Sequence, residues 1–292
     1  MKTVTNDALA AAEQFLYLNA RLIDRLRFAH HFRNGPARAV VDALRPYQNA
    51  DGGFGNALEP DLRAPDSQPL PTETALHILD EAGALGDPMV ADACDYLASI
   101  TRPGGGVPFV LPSVRQAPHP WWLQTDDDPP AGLNPTAALA GLLHKAGADH
   151  PWVATATRFS WERIEVLEET NPYEAYSVLG FLDHVPDRER AGKAFERLRP
   201  RILDHVAHDP NEPGEVHFPL DYAPAPGCLA RRMFDDELIE AHLDALVAAQ
   251  QDDGGWTVNF QIWTPITGHE WRSFATVTRL LTLRAYDRIE PG

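Results

Sequence analysis

The stretch Gln250-Gln251-Asp252-Asp253-Gly254-Gly255-Trp256 closes an apolar, helix-like run from Phe234 to Ala249. It has an earlier echo in Tyr47-Gln48-Asn49-Ala50-Asp51-Gly52-Gly53-Phe54. Two looser copies, Gly104-Gly105-Gly106-Val107-Pro108-Phe109 and Gly214-Glu215-Val216-His217-Phe218-Pro219, keep the same order of glycine followed by an apolar or aromatic residue. A phrase that returns through a chain marks a repeat architecture, in which each unit buries its apolar face only against its neighbours.

Working outward from the copies, helical periodicity occupies about ten segments, near 6–30, 36–47, 72–84, 88–100, 135–147, 151–167, 172–184, 188–207, 234–250 and 270–286. No comparable run alternates with a period of two. Leu70-Pro71-Thr72, Asn134-Pro135-Thr136 and Asn171-Pro172-Tyr173 open three helices with a related phrase. Asparagine as N-cap accepts one free amide, and proline after it removes another. The helices from 72, 135, 172 and 270 are rich in Ala, Thr, Ser and Leu, whereas those from 36, 88, 151, 188 and 234 carry a charged face. Small apolar helices pack on both sides and charged amphipathic ones keep a wet face. The expectation is an all-α chain, one α/α toroid domain over 1–292. It would have five or six hairpins in inner and outer rings, long loops covering one end and the N-terminal helix completing the inner ring.

Gln-x-x-Asp-Gly-Gly-Trp, here Gln250 to Trp256, resembles the repeat of squalene-type terpenoid cyclases and of protein prenyltransferase β-subunits. As architecture the resemblance covers most of the chain; as motif it covers the two ends. It implies that Gln and Trp tie adjacent outer helices together around an apolar cavity that takes an isoprenoid-like molecule. Reaction is not implied by fold. The Asp-x-Asp-Asp of class II cyclases aligns with Thr125-Asp126-Asp127-Asp128, with Thr in place of the first Asp. On that alignment Asp127 protonates an alkene, Asp126 and Asp128 stand beside it, and Trp121 and Trp122 face the cation. The competing reading of the three aspartates is a solvated turn near a helix start. The prenyltransferase zinc pair, Asp-x-Cys, has its match in Asp92-Ala93-Cys94, inside a helix and away from an inner-helix start. Cys228 with His217 and His269 offers thiolate and imidazole without compact spacing. Neither set makes a metal or other cofactor the expectation.

Loops supply a second set of candidates. Glu59, Asp61 and Arg63 fall in the first long loop, and Trp263, His269, Glu270, Trp271 and Arg272 in the last. If first and last repeats are neighbours, Glu59, Asp61, His269 and Glu270 converge as acid/base groups. Phe54, Trp121, Trp122, His217, Tyr222, Trp263, Trp271, Arg63 and Arg272 are the expected substrate contacts of a terpenoid-cyclase-like or prenyltransferase-like toroid that takes an isoprenoid-like molecule. The alternatives are a sugar-active glycosidase or lyase, in which Glu59, Asp61 and Glu270 work with the tryptophans, and a noncatalytic toroid binding a small molecule or protein. The structural alternative has Glu270 capping its helix and Arg63 pairing with Asp61.

Bulk properties narrow the partners. The charge of −17, from 25 basic and 42 acidic residues, repels phosphate backbones, so nucleic acid is not an expected partner. No stretch approaches the roughly 20 apolar residues of a membrane span. Two cysteines, Cys94 and Cys228, and an N-terminus without a secretory pattern fit a cytoplasmic protein. No phosphate-cradling glycine loop, Gly-x-Ser-x-Gly or His-Glu-x-x-His occurs. The oligomeric state has no signature.

Overall fold

A computed structural model describes residues 1–291, and among them only helices and isolated bridges occur, with no strand. The all-α expectation holds. The helices are α1 (Asn6–Asn19), α2 (Leu22–Phe32), α3 (Ala37–Leu44), α4 (Pro69–Glu81), α5 (Met89–Ser99) and α6 (Leu133–Ala146). They continue with α7 (Pro151–Val166), α8 (Pro172–His184), α9 (Arg188–Leu203), the single turn α10 (Pro219–Tyr222), α11 (Asp236–Ala248) and α12 (Pro265–Ala285). None of them is long and apolar enough to cross a membrane. The chain gathers into two compact units, one formed by Met1–Ala39 with Leu203–Gly292 and the other by Val40–Ile202.

Caps place the helix starts. Asn171 accepts the Glu174 amide at 3.0 Å and Pro172 follows it, as the sequence phrase predicts. Asp235 accepts from Leu238 at 2.8 Å, so the acidic run 235–237 opens α11. Three starts lie earlier than periodicity predicts: α6 begins at Leu133 behind Gly132, so Asn134 stands within the helix and not at its cap. α4 begins at Pro69, and α12 at Pro265 behind the N-cap Thr264, whose hydroxyl accepts from Thr267. Glu270 therefore stands inside α12 and does not cap it. The N-terminal segment, read as one helix, is broken by extended backbone at Ala20 and Arg21. Here the Ala20 carbonyl receives the Arg25 side chain at 2.9 Å, an interaction that periodicity does not encode.

In the unit Val40–Ile202, α6 packs on both α4 and α8, and α5 packs on α7, so alternate helices share a layer. The Ala- and Gly-rich face of α6 permits this: a Cβ on Gly141 would stand 2.5 Å from the Gly180 carbonyl oxygen of α8. In the other unit α12 packs on α1, α2 and α11. The buried pair Asp24–Arg27 of α2, at 3.0 Å, lies at the α2–α12 contact, with the Arg27 guanidinium over the Phe274 ring at 4.4 Å.

The glycine phrases impose one recurring joint. In three copies the second glycine's carbonyl accepts a backbone amide from the start of the phrase at 2.8 Å, from Asn49 to Gly53, Arg102 to Gly106 and Gln251 to Gly255. The next amide, of Phe54, Val107 or Trp256, donates to a threonine hydroxyl of the following helix: Thr72, Thr136 or Thr276, at 3.2, 3.0 and 3.0 Å. The first glycine crosses the backbone of a neighbouring helix and the second lies on an aromatic ring four residues further along it. Those helix positions are Asp92 and Tyr96 in α5, Thr155 and Phe159 in α7, and Ala11 and Phe15 in α1. Gln48 and Gln250 each bridge two carbonyls, one in their own turn and one at the start of that helix: Met89 for Gln48 and Ala8 for Gln250. Thus α1 takes the part that α5 and α7 take, while α2 packs on α12; only the second half of the N-terminal segment has the inner-helix role expected of the whole.

A Cβ at Gly52, φ +88°, would meet the Asp92 carbonyl oxygen at 2.1 Å, and one at Gly254, φ +89°, would meet that of Ala11 at 2.2 Å. Gly214 has a similar φ of +94° but faces open space. Gly52→Ala and Gly254→Ala are each expected to lose about 3 kcal/mol or more, and Gly214→Ala about 1–2 kcal/mol for backbone strain alone. Urea denaturation of the three variants measures this; equal losses would mean that φ, and not the crossing, requires the glycines.

Candidate functional site

Most of the residues singled out in the sequence have structural or solvent-facing places. Asp127 and Asp128 are 91% and 90% exposed, in ion pairs with Arg115 and Arg102, and Asp126 is exposed beside them. A carboxylate open to water and held by an arginine is poorly placed to protonate an alkene, which requires a dry site. The loop that carries them holds Trp121, 71% exposed, edge-on to Trp122 at 5.7 Å. Trp122 packs on the cluster Leu62, Ala64, Val110, Val114 and Leu123. Phe54 is core. Asp61 is buried, Glu59 partly so, and Arg63 donates to the Pro60 carbonyl at 3.1 Å.

The remaining candidates belong to the unit built from both chain ends. Arg272 makes a two-point bond to Asp253 at 2.8 and 2.8 Å while its guanidinium lies 4.7 Å over Phe15, which fixes it as part of the glycine joint. Trp271 stacks edge-on between Phe260 and Phe274 at 5.2 and 5.8 Å. Trp263 is half-buried, Glu270 is buried on α12 and His269 is exposed. Among the described residues, Cys228, His217 and His269 do not gather into a metal-holding group. Cys94 is buried, which pushes its thiol up to about 12.

The fourth copy of the phrase departs from the other three, and its departure assembles a titratable cluster. Ala207 donates its amide to the His217 carbonyl at 2.9 Å, the same bond that Asn49, Arg102 and Gln251 make to their second glycines. His217 thus occupies the second-glycine position, and Phe218 is the register equivalent of Phe54, Val107 and Trp256. In the other copies that residue's amide meets a threonine hydroxyl. Here it meets the carboxylate of Asp221, at 2.7 Å. The helix that should supply the threonine is reduced to the single turn α10. Around Asp221 stand Phe218, the buried Tyr222, His242 of α11 and Arg279 of α12. His242 is itself fixed, its Nε2 at 3.1 Å from the His208 carbonyl and its ring 5.5 Å from that of Phe218.

Asp221 keeps an exposed surface, and Arg279, His217 and His242 lie close enough for their charges to act on it. Desolvation raises its pKa above the ordinary aspartate value. The Phe218 amide and the positive fields of Arg279, His217 and His242 pull it down by less. His217 moves the other way. Desolvation and His205 lower its pKa against the pull of Asp221 and Glu215. A carboxyl biased to keep its proton therefore neighbours an imidazole biased to lose its own, which is the complement a general acid and a general base need. Asp221 and Arg279 were not singled out from the sequence. The available signal was Asp221 three residues after the aromatic of a degenerate copy, where no threonine follows.

No family model matches the chain, and no curated protein does. Among solved structures it is similar to a protein from Actinoplanes, at TM-score 0.62 and 19% identity over 96% of this chain and 99% of that one, which shows a shared fold. It is also aligned with a type II terpene cyclase from Scytonema in complex with its product merosterolic acid A, at TM-score 0.49 and 14% identity over 95% of this chain and 86% of that one.

The sign of the Asp221 shift yields a stability prediction. A carboxyl whose folded pKa is raised weighs against the folded state once pH rises above its unfolded value. Asp221→Asn keeps an acceptor for the Phe218 amide and removes the charge. The variant should therefore melt above the parent at pH 8 and level with it at acid pH. Scanning calorimetry at both pH values reads this, and a variant that melts lower at pH 8 would mean that the carboxylate stabilises the fold.

Proposed function

We propose that the chain is an acid/base enzyme acting on a polar, ring-bearing small molecule of the carbohydrate class, with Asp221 as general acid and His217 as general base. The observation that carries this reading is the replacement, in one copy of an otherwise regular joint, of a threonine hydroxyl and a packing glycine by Asp221 and His217. Departures from local structural rules concentrate at functional sites because the fold tolerates them only where something is gained. The half-buried ring of Phe218 beside the carboxyl suits stacking on a sugar face, and the exposed carboxyl suits a hydroxyl-rich ligand.

An acid-initiated cyclisation of an isoprenoid-like substrate is the second reading. The Gln250–Trp256 phrase and the Phe260–Trp271–Phe274 ladder in the same unit support it. On this reading Asp221 is a better-placed acid than Asp127, but the neighbouring positive charge of Arg279 opposes a developing carbocation. Electrostatics therefore favours the carbohydrate reading.

A panel of neutral and acidic oligosaccharides, assayed for new reducing ends and for unsaturated products, separates the two. Turnover is expected on the panel, with kcat/KM reduced about 100-fold or more in Asp221→Asn at unchanged folding. The pH profile should be bell-shaped, with its acid limb, from His217, below the ordinary histidine value of 6.5. Turnover of a polyprenyl substrate with none on any sugar would replace this reading by the second.

A further inference from the structure

The acids of this chain outnumber its bases by 42 to 25, and buried or half-buried arginines elsewhere in the same unit have carboxylate partners: Arg27 has Asp24, Arg272 has Asp253, and Arg288 has Glu240 and Asp244. Arg279 differs. It is half-buried on α12, one turn after Thr276, and its Nη1 donates to the Thr257 carbonyl directly after the Trp256 joint. No carboxylate of the described residues is in ion-pair contact with it. Asp221 acts on it only through its field, and that influence weakens whenever Asp221 carries its proton. A guanidinium taken from water without a counter-charge is costly, and its planar fork is shaped for an oxyacid.

We propose that Arg279 receives a carboxylate carried by the substrate, so that the preferred ligand is an acidic sugar of the uronate type. The inference rests on the acid/base reading of Asp221 and His217 and adds to it the substrate class. A monoanion matches the single charge of the guanidinium. A phosphate ester brings a second negative charge toward Asp221 and into the field of a chain of net charge −17, which disfavours it. The Thr257 carbonyl holds one edge of the fork, leaving its other donors for the ligand. The carboxylate then fixes the ring relative to Asp221 and His217.

Calorimetric titration with galacturonate, its methyl ester and glucose 6-phosphate tests this on the intact protein. Galacturonate is expected to bind at least about tenfold more tightly than its neutral ester, as one charge-assisted pair provides. The advantage should vanish in Arg279→Gln and persist in Asp221→Asn, which lacks the acid but keeps the cation. Equal binding of acid and ester by the parent protein overturns the proposal and needs no variant. Tighter binding of the phosphate sugar overturns the carboxylate assignment. A uronate preference without turnover on any sugar leaves the anion site standing and removes the acid/base reading; turnover of neutral sugars with no uronate preference does the reverse.

Discussion

A backbone crossing too close for a Cβ organises this chain. At Gly52 and Gly254 the turn lies directly against the backbone of a neighbouring helix, at Gly105 against the Thr155 methyl and carbonyl, and the following glycine presses on the aromatic ring one turn further along. The amide after the glycines is then buried and must find an acceptor, because an unsatisfied buried amide costs about 1–3 kcal/mol. A threonine of the next packed helix supplies it in each case, in the first turn of α4 and α6 and in the middle of α12. One local rule thus sets together where the neighbouring helix lies, how the turn is shaped and which turn of the following helix meets it. In the last copy the neighbouring helix is α1, so the rule also binds the two chain ends into one unit.

The candidate site follows from a break in that rule. With His217 where the second glycine belongs and Asp221 receiving the amide, the fourth joint exchanges close packing for titratable groups, and its inner helix shrinks to the one turn of α10. The regular copy beside it places the cation. Thr276 accepts the Trp256 amide, the next carbonyl, that of Thr257, holds Arg279, and α12 carries both Thr276 and Arg279. Structure and chemistry are thereby divided between adjacent copies, one keeping geometry and the other carrying an acid and a base. A carboxyl whose pKa desolvation raises opposes stability once it ionises.

The fold was readable in the residues because repetition, helical period and capping point the same way. Pro172 to His184 is bounded as the Asn171-Pro172 phrase implies, and Asp235 caps α11 as an acidic first turn should. What periodicity missed was set by single tertiary contacts. The break at Ala20 and Arg21 is met by the Arg25 side chain on the Ala20 carbonyl, and α12 opens at Pro265 because Thr264 caps it there. The site was less legible for a related reason. His217 and Tyr222 stood out as members of a glycine-led copy, but aligning that copy on Gly214 hides the register. Only the amide of Ala207 on the His217 carbonyl shows that His217 stands for a glycine and Asp221 for a threonine. The more conspicuous Asp126-Asp127-Asp128 run attracts attention by composition, and its geometry is that of exposed carboxylates on arginines.

The account turns on Asp221 being an aspartic acid that keeps its proton beyond the ordinary range. Carbon-13 NMR titration of the side-chain carboxyls, with the Asp221 signal assigned by its absence in Asp221→Asn, measures this directly. The prediction is a midpoint clearly above the ordinary aspartate value of 3.8, coupled to the titration of His217. A midpoint at or below that value would make Asp221 a simple acceptor for the Phe218 amide, and the fourth joint a structural variant with no acid to offer.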